Sequence, residues 1–218
     1  MHIQGHIRTD IPIFKIGDSL KKVVDFFEHN AFSHVAILEN EDFLGTLSEN
    51  DLDSFEVTKK VEDYKYHFDT FFVREDSNWL DVLETFARNE ANLLTVLDDK
   101  NKVIGYYDLT NIVSAFIDTP FFTEPGAIIV VAKGAKDYSF SEIAQIVESN
   151  NAKVIGAFIT SIQNDIVQLT IKISASNLNE VMQTFRRYNY NILLGNKDDR
   201  FIENLKQRSD YLDKYLNV

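Results

Sequence analysis

A hydroxyl and a carboxylate three residues apart mark the point where one apolar run of the sequence ends. Ser48 and Asp51 follow a predicted strand at residues 43–47 and open a segment with a helical pattern. A carboxylate can accept hydrogen bonds from two adjacent hydroxyl groups, and a hydroxyl with free N–H groups at a helix start favours an anion. The same residues could serve only the helix, Ser48 as its N-cap and Asp51 through the helix dipole. Ligand binding and helix capping are therefore both open.

Carboxylates are plentiful, but the sequence lacks cysteine and the motifs typical of catalytic or metal sites. The sequence contains no cysteine, which excludes disulfides, thiolate zinc sites, iron–sulfur clusters and cysteine nucleophiles. It contains no glycine-rich phosphate loop, Gly-x-Ser-x-Gly elbow or His-Glu-x-x-His sequence. His29 and His67 have no evident partner set. We therefore predict that the protein is not an enzyme, requires no cofactor and has no catalytic or metal site.

Residues 7–118 are predicted to be an internal duplication. Each copy has an extended lead-in, an amphipathic helix, two apolar strands around a polar turn, and a final helix. One residue of the pair Asp18-Ser19, and one of the pair Asp76-Ser77, is expected to cap the first helix of its copy. The offset between the copies is 58 residues at these pairs and 60 at Gly45 and Gly105. The predicted strands are residues 34–38 and 43–47 in the first copy and residues 93–97 and 103–107 in the second.

This tandem pattern resembles the CBS domain, named after cystathionine β-synthase, two copies of which form a Bateman module. In that family a strand ends in Gly, and an apolar pair and Ser/Thr-x-x-Asp follow at the start of the last helix. The first copy matches this pattern at residues 45–52. The second copy departs from it, with Asp108 in place of Ser/Thr and Asn111 in place of Asp.

The resemblance implies a regulatory ligand in a cleft between the two copies. Expected ligands are AMP, ADP, ATP with magnesium, or S-adenosylmethionine. Asp51 would accept hydrogen bonds from the ribose hydroxyls, and Ser48 would donate on the phosphate side. The base pocket would be lined by the first predicted strand and the first lead-in, through His34, Val35, Ala36, Ile11, Pro12 and Ile13.

The second cleft is predicted to be degenerate. Asn111 offers one carbonyl acceptor where Asp offers two oxygens, and Asp108 would repel a phosphate. A helix cap is the better explanation of Asp108. We expect this cleft to be empty or to take an uncharged or cationic group.

The rest of the chain is predicted to form a second domain in the order βαββαβ, the ferredoxin-like arrangement. It resembles the ACT domain, a regulatory module that often binds amino acids at dimer interfaces. Many ACT domains carry a glycine after the first strand, and none occurs at residues 137–141, so dimerisation is favoured over amino-acid binding. The CBS pair, ACT-like domain and tail together resemble the family of the acetoin-utilisation protein AcuB.

The predicted fold class is therefore α/β (α+β). It comprises a tandem CBS-domain pair at residues 1–118, with repeats at about 7–60 and 68–118, and a linker at residues 119–126. The ferredoxin-like ACT-type domain follows at residues 127–196, and a C-terminal helical tail at residues 197–218.

Charge is distributed unevenly along the 218 residues. Residues 1–125 hold 11 Lys and Arg against 24 Asp and Glu, a formal charge of −13, whereas residues 126–218 hold 11 against 10. So acidic a module disfavours a bare triphosphate unless Mg²⁺ or nearby basic groups offset its field, for which Lys15, Arg74 and Arg88 are candidates. The net charge of −12 also argues against nucleic acid as a partner, because phosphate contacts need Lys and Arg.

No apolar run approaches the ~20 residues that span a bilayer, and the first ten residues show no secretory signal. We therefore expect a cytoplasmic protein with no membrane partner. The predicted function is regulatory: the CBS cleft senses an adenosine-containing nucleotide, and the ACT-like domain makes a homodimer that acts on an unidentified protein. The alternative is a non-catalytic scaffold or interaction protein with vestigial ligand sites.

Overall fold

The computed structural model describes residues 2–174 and 178–195 and divides the chain into two compact units, Met1–Ile117 and Asp118–Val218. Each unit has its own buried apolar core. Within the described residues, no helix has both the length and the apolar character needed to cross a membrane. The helical tail predicted at residues 197–218 lies outside the described residues.

The first unit contains the predicted duplication, with a short lead-in strand parallel to the second strand of each copy. The predicted strands are confirmed. In the first copy the elements are β1 (Phe14–Lys15), α1 (Leu20–His29), β2 (His34–Glu39) and β3 (Asp42–Ser48). In the second copy they are β4 (Val73–Arg74), α2 (Trp79–Arg88), β5 (Leu93–Leu97), β6 (Val103–Asp108) and α3 (Leu109–Ile117).

The two copies differ in the segment after the third strand. An α-helix was expected in both, but the first copy has only a 3-10 helix, Glu49–Ser54. Asn, Asp and Ser residues in this segment compete for backbone hydrogen bonds, which disfavours an α-helix. Ser54 shows this competition directly, since its hydroxyl donates to the carbonyl of Asp51 at 2.7 Å. The second copy has a more apolar segment here and forms α3.

The first helices of the two copies begin where predicted, but not with the predicted caps. The Asp18 carboxylate accepts from the N–H of Lys15, and the Ser77 hydroxyl accepts from the N–H of Arg74, so both close the preceding turn. The cap of α2 is Asn78, whose side-chain oxygen accepts from two N–H groups of the first turn. Ser19 occupies the N-cap position of α1 without a side-chain bond to the first turn, and Asn78 rather than Asp76 or Ser77 caps α2.

Each copy pairs with the lead-in of the other. Thr46 on β3 and Asp69 exchange two backbone hydrogen bonds of 2.8 and 2.9 Å. Tyr106 on β6 and Arg8 do the same at 2.9 and 2.8 Å. The lead-ins are therefore crossed, and each becomes an extra edge segment beside the other copy's last strand.

The glycines of the two repeats make this crossing possible. A Cβ at Gly45 would lie 2.7 Å from the carbonyl oxygen of Asp69, and a Cβ at Gly105 would overlap that of Arg8. Gly105 also has a φ of 146°, which residues with a side chain rarely adopt. Glycine is required at both positions because the other copy's backbone passes where a side chain would lie.

Buried polar contacts join the two copies at their interface. The N–H of Ser33 donates to the Asn92 side chain, and the N–H of Asn92 donates to the Ser33 hydroxyl, both at 2.8 Å. The Tyr106 hydroxyl donates to the carbonyl of Pro12 and accepts from the N–H of Ala36, both at 3.0 Å. These bonds satisfy polar groups that burial between the copies would otherwise leave unpaired.

The second unit has the predicted βαββαβ order. The predicted linker contains a short helix, α4 (Pro120–Thr123). The other elements are β7 (Gly126–Gly134), α5 (Phe140–Ser149), β8 (Val154–Gln163), β9 (Ile166–Ser174), α6 (Leu178–Arg187) and β10 (Asn191–Leu194). The sheet has the strand order β10-β7-β9-β8 with antiparallel neighbours, and α5 and α6 share a core with one of its faces. This is the ferredoxin-like arrangement.

A methyl group at the crossing should destabilise the protein. Gly45→Ala places a Cβ against the backbone of Asp69, and relieving such a clash costs about 1–3 kcal/mol of unfolding free energy. Urea unfolding followed by circular dichroism measures this loss. Gly17→Ala is the matched control, because a Cβ there meets no atom within 4 Å. Equal unfolding midpoints for the two variants would contradict the assigned role of Gly45.

Candidate ligand cleft

An open cleft of about 470 Å³ lies between the two copies, beside the start of the 3-10 helix Glu49–Ser54. Both copies contribute to it. The first copy and the connection between the copies supply polar side chains, and the second lead-in and the end of α2 complete the wall. The lining residues are His34, Ser48, Asn50, Asp51, His67, Asp69, Phe71, Arg88, Asn89 and Glu90.

The structure brings the predicted pair Ser48 and Asp51 together in this cleft. Ser48 is the N-cap of the 3-10 helix, and its hydroxyl oxygen accepts from the N–H of Asn50 at 3.3 Å. A hydroxyl that accepts one bond keeps its proton for a bond to a ligand. Asp51 is half-buried, and its carboxylate makes no hydrogen bond within the described residues. The capping alternative is therefore observed for Ser48, whereas both oxygens of Asp51 are available to a ligand.

His34 lies at the buried end of the cleft and is only 5% exposed. Its Nδ1 is 2.8 Å from the Ser33 hydroxyl, and its ring meets Phe71 edge-on with 5.0 Å between centroids. Burial lowers the pKa of His34, and the carboxylates of Asp69 and Asp51 offset part of this effect. The neutral ring keeps one donor and one acceptor nitrogen, and its Nε2 lies 3.7 Å from a carboxylate oxygen of Asp69.

Most of the second wall was not anticipated from the sequence. Asp69 and Phe71 lie in the cleft because the second lead-in crosses to the first copy. Glu90 lies there because it ends α2 with a φ of 49°, a position usually taken by Gly or Asn. Ala91 then donates from its N–H to the Phe86 carbonyl at 3.0 Å, closing the turn. The repeat offset aligns Phe71 with the first lead-in and so marks it as a candidate site residue. Its place in this cleft follows only once the second lead-in is known to pair with the first copy.

Five of the expected base-pocket residues lie elsewhere. Val35 and Ala36 are completely buried, Val35 in the core of the first copy and Ala36 in the interface between the copies. The first lead-in, with Ile11, Pro12 and Ile13, packs at the same interface beside Tyr106. Burial keeps Val35 and Ala36 out of the cleft with Ser48 and Asp51, and the crossing to the other copy takes the first lead-in away from it. Of the predicted base-pocket residues, His34 is the one found in the cleft.

The residues predicted for the second cleft meet the first lead-in. As predicted, Asp108 caps α3: its Oδ1 accepts from the N–H groups of Thr110 and Asn111 at 2.8 and 3.4 Å. Its Oδ2 accepts from the guanidinium of Arg8 at 3.1 Å. The Arg8 guanidinium also pairs with Asp10 and lies 5.7 Å from the centroid of the Phe32 ring.

The first cleft has an acidic lining. It contains three carboxylates, on Asp51, Asp69 and Glu90. Of the three basic residues considered from the sequence, Arg88 lines the cleft, and its guanidinium is paired with Glu84. Within the described part of the chain, no group of three or more His, Cys, Asp or Glu residues has the arrangement of a metal site.

The other two basic residues are engaged outside the cleft lining. Lys15 pairs with Glu41 at 2.8 Å. Arg74 donates to the Asp98 carbonyl at 2.9 Å and to the Asn101 side chain at 2.7 Å. Lys15 and Arg74 are therefore bonded elsewhere and do not offset the negative potential of the acidic lining.

Comparison with known proteins gives a family match over both copies. The sequence model of the CBS domain matches residues 3–57 and 61–118, which together make up just over half of the chain. A protein of unknown function from Methanocaldococcus jannaschii is 24% identical over an alignment of 119 residues, and the match covers 48% of this chain and 40% of that protein. The inosine-5′-monophosphate dehydrogenase of the same organism is 25% identical over 134 residues, 61% of this chain and 27% of the enzyme. The chain thus spans less than half the length of either curated relative.

One solved structure is similar to this chain over part of its length. A CBS domain pair/ACT domain protein from Thermotoga maritima is 19% identical, and the match covers 54% of this chain and 98% of that one. The TM-score is 0.49.

The environment of His34 predicts its titration. Proton NMR should give a pKa below the ordinary value of 6.5, because burial penalises the imidazolium. Asp69→Asn should lower this pKa further, since the nearby carboxylate favours the charged ring. A midpoint above 6.5, or a rise in the Asp69→Asn protein, would contradict this account.

The same shift predicts how stability depends on pH. Below about pH 6.5 the unfolded chain protonates His34 while the folded chain resists it, so the unfolding free energy falls as pH falls. His34→Gln should remove this part of the pH dependence, which urea titrations at several pH values measure. An unchanged pH dependence in the variant would contradict the assignment.

Proposed function

Since the chain belongs to the CBS domain family, we propose that its cleft senses an adenosine-containing ligand and that the protein regulates a partner without catalysing a reaction. CBS domain pairs are regulatory modules that sense nucleotides. Candidate ligands are AMP, ADP, ATP with magnesium, and S-adenosylmethionine. The closer assignment to the AcuB family stays a prediction.

The observation that carries this proposal is that the Asp51 carboxylate, in an open cleft, has no hydrogen-bond partner among residues 2–174 and 178–195. Two adjacent ribose hydroxyls are a complementary ligand, because the carboxylate can accept a charge-assisted hydrogen bond from each. The Ser48 hydroxyl lies in the same cleft and supplies a donor. The Phe71 ring and the neutral His34 ring offer an apolar and weakly polar surface for a base.

The charge of the cleft selects among the candidate ligands. Each added phosphate brings negative charge towards Asp51, Asp69 and Glu90, and the guanidinium of Arg88 is already paired with Glu84. We therefore expect AMP or S-adenosylmethionine to bind more tightly than free ATP. Magnesium should improve ATP binding, because the cation neutralises phosphate charge.

The second unit is proposed to join two chains in a homodimer. Helices α5 and α6 cover one face of the sheet. On the other face, where Phe121 of α4 packs beside Phe158, Ile128 and Phe158 are each 48% exposed. Burying such side chains against a second copy is favourable, at about 25 cal/mol per Å² of apolar surface removed from water. Ligand binding would then reach the partner protein through a dimer whose two arrangements differ in affinity for the ligand.

The alternative is a scaffold whose acidic first unit docks a basic partner and whose cleft is vestigial. The formal charge of −13 over residues 1–125 favours such docking. Pull-down of partners with and without nucleotide separates the two functions, because a scaffold would capture the same proteins in both conditions.

Calorimetry tests the ligand proposal. Titration with AMP, ADP, ATP with and without Mg²⁺, and S-adenosylmethionine should reveal a ligand that binds in the micromolar range. Asp51→Asn should weaken binding at least tenfold, since hydrogen bonds to charged groups contribute about 1.5–3 kcal/mol each. Asp53→Asn is the matched control, because it removes the same charge from the same 3-10 helix outside the cleft lining. If no candidate binds, or if both variants bind like the wild type, the nucleotide-sensing proposal is wrong.

Light scattering coupled to gel filtration tests the dimer. Phe158→Glu and Ile128→Glu each place a carboxylate on the exposed apolar face and should convert a dimer into a monomer. Gln145→Glu adds the same charge on the exposed side of α5 and should leave the dimer intact. A monomeric wild type, or dimeric variants, would contradict this interface.

A further inference from the structure

The two copies allow the two clefts to be compared position by position. Thr46 in the first copy and Tyr106 in the second are equivalent, because each pairs with a crossed lead-in directly after the repeat glycine. Asp69 and Arg8 are equivalent partners in these pairs. Thr46 is buried on β3 two residues before Ser48, so the first copy has a small side chain beneath its cleft where the second copy has a large aromatic ring.

The Tyr106 ring fills the space between the second copy and the first lead-in. It is 1% exposed and packs with Ile11, Ala36 and Leu93. Its hydroxyl makes two 3.0 Å hydrogen bonds to backbone groups, donating to the Pro12 carbonyl and accepting from the Ala36 N–H. Burial raises the pKa of Tyr106, so the hydroxyl stays protonated and keeps donating. An aromatic ring with a donor and an acceptor thus occupies this position permanently.

Arg8 occupies the polar part of the same cleft. Its guanidinium contacts Asp108 Oδ2 at 3.1 Å, while Asp108 Oδ1 takes the first N–H groups of α3. The side chain that would meet the phosphate of a ligand is therefore engaged by the chain itself. In the first cleft the equivalent lead-in residue is Asp69, which is 51% exposed.

We infer that Tyr106 and Arg8 act together as an internal ligand of the second cleft, so that each chain takes up one nucleotide rather than two. This inference rests on the proposed function of the first cleft. The Tyr106 ring fills the volume that the base of a ligand would need. Arg8 pairs with Asp108, the acidic residue at the position equivalent to Ser48. In the first copy the smaller Thr46 side chain takes the equivalent position and does not extend into the cleft lining.

Two reciprocal variants test this assignment by calorimetry with AMP and with S-adenosylmethionine. Tyr106→Thr gives the second cleft the residue found in the first, and should raise the stoichiometry from one to two per chain. Thr46→Tyr places the ring in the first cleft, and should abolish binding. Tyr106→Phe keeps the ring and is the control, with an expected stoichiometry of one.

The outcomes separate this inference from the proposed function. A wild type that binds neither probe contradicts both. A wild-type stoichiometry of two, or a folded Tyr106→Thr protein that still binds one ligand, overturns only the internal ligand. Circular dichroism checks the fold of each variant. If Tyr106→Thr does not fold, Thr46→Tyr decides, because a folded Thr46→Tyr protein with wild-type affinity overturns the inference.

Discussion

Close backbone approach at two glycines is the constraint on which the first unit depends. Gly45 and Gly105 allow the lead-in of each copy to run against the last strand of the other. The crossing brings polar groups of both copies into one buried interface, where Ser33, Asn92 and Tyr106 satisfy them. It also decides which residues face each other, since every cleft combines the motif of one copy with the lead-in of the other.

The two clefts differ because the two lead-ins differ. The second lead-in brings Asp69 and Phe71 to Ser48 and Asp51, which leaves the first cleft acidic and open. The first lead-in brings Arg8 to Asp108, and the ion pair between them engages the Asp108 carboxylate in the second cleft. The two copies share the same backbone arrangement, and differences in a few side chains leave the first cleft open and the second filled.

Sequence patterns predicted the elements well where local signals were strong. Leu93–Leu97 is an apolar run between polar turns, and its bounds were predicted to the residue. The segment after Ser48 was misjudged, because its Asn, Asp and Ser residues favour side-chain bonds over an α-helix. The cleft was predicted only in part. Ser48, Asp51 and His34 lie close together through one strand pair, whereas Asp69 and Glu90 reach the cleft through long-range pairing and an unusual helix end. Periodicity carries no information about which lead-in meets which strand.

A crystal structure of the protein grown with AMP tests the central claim most directly. The account predicts one AMP per chain, with its ribose hydroxyls within hydrogen-bond distance of the Asp51 carboxylate and its base beside His34 and Phe71. AMP bound at another surface, or bound in the cleft without contact to Asp51, would contradict it.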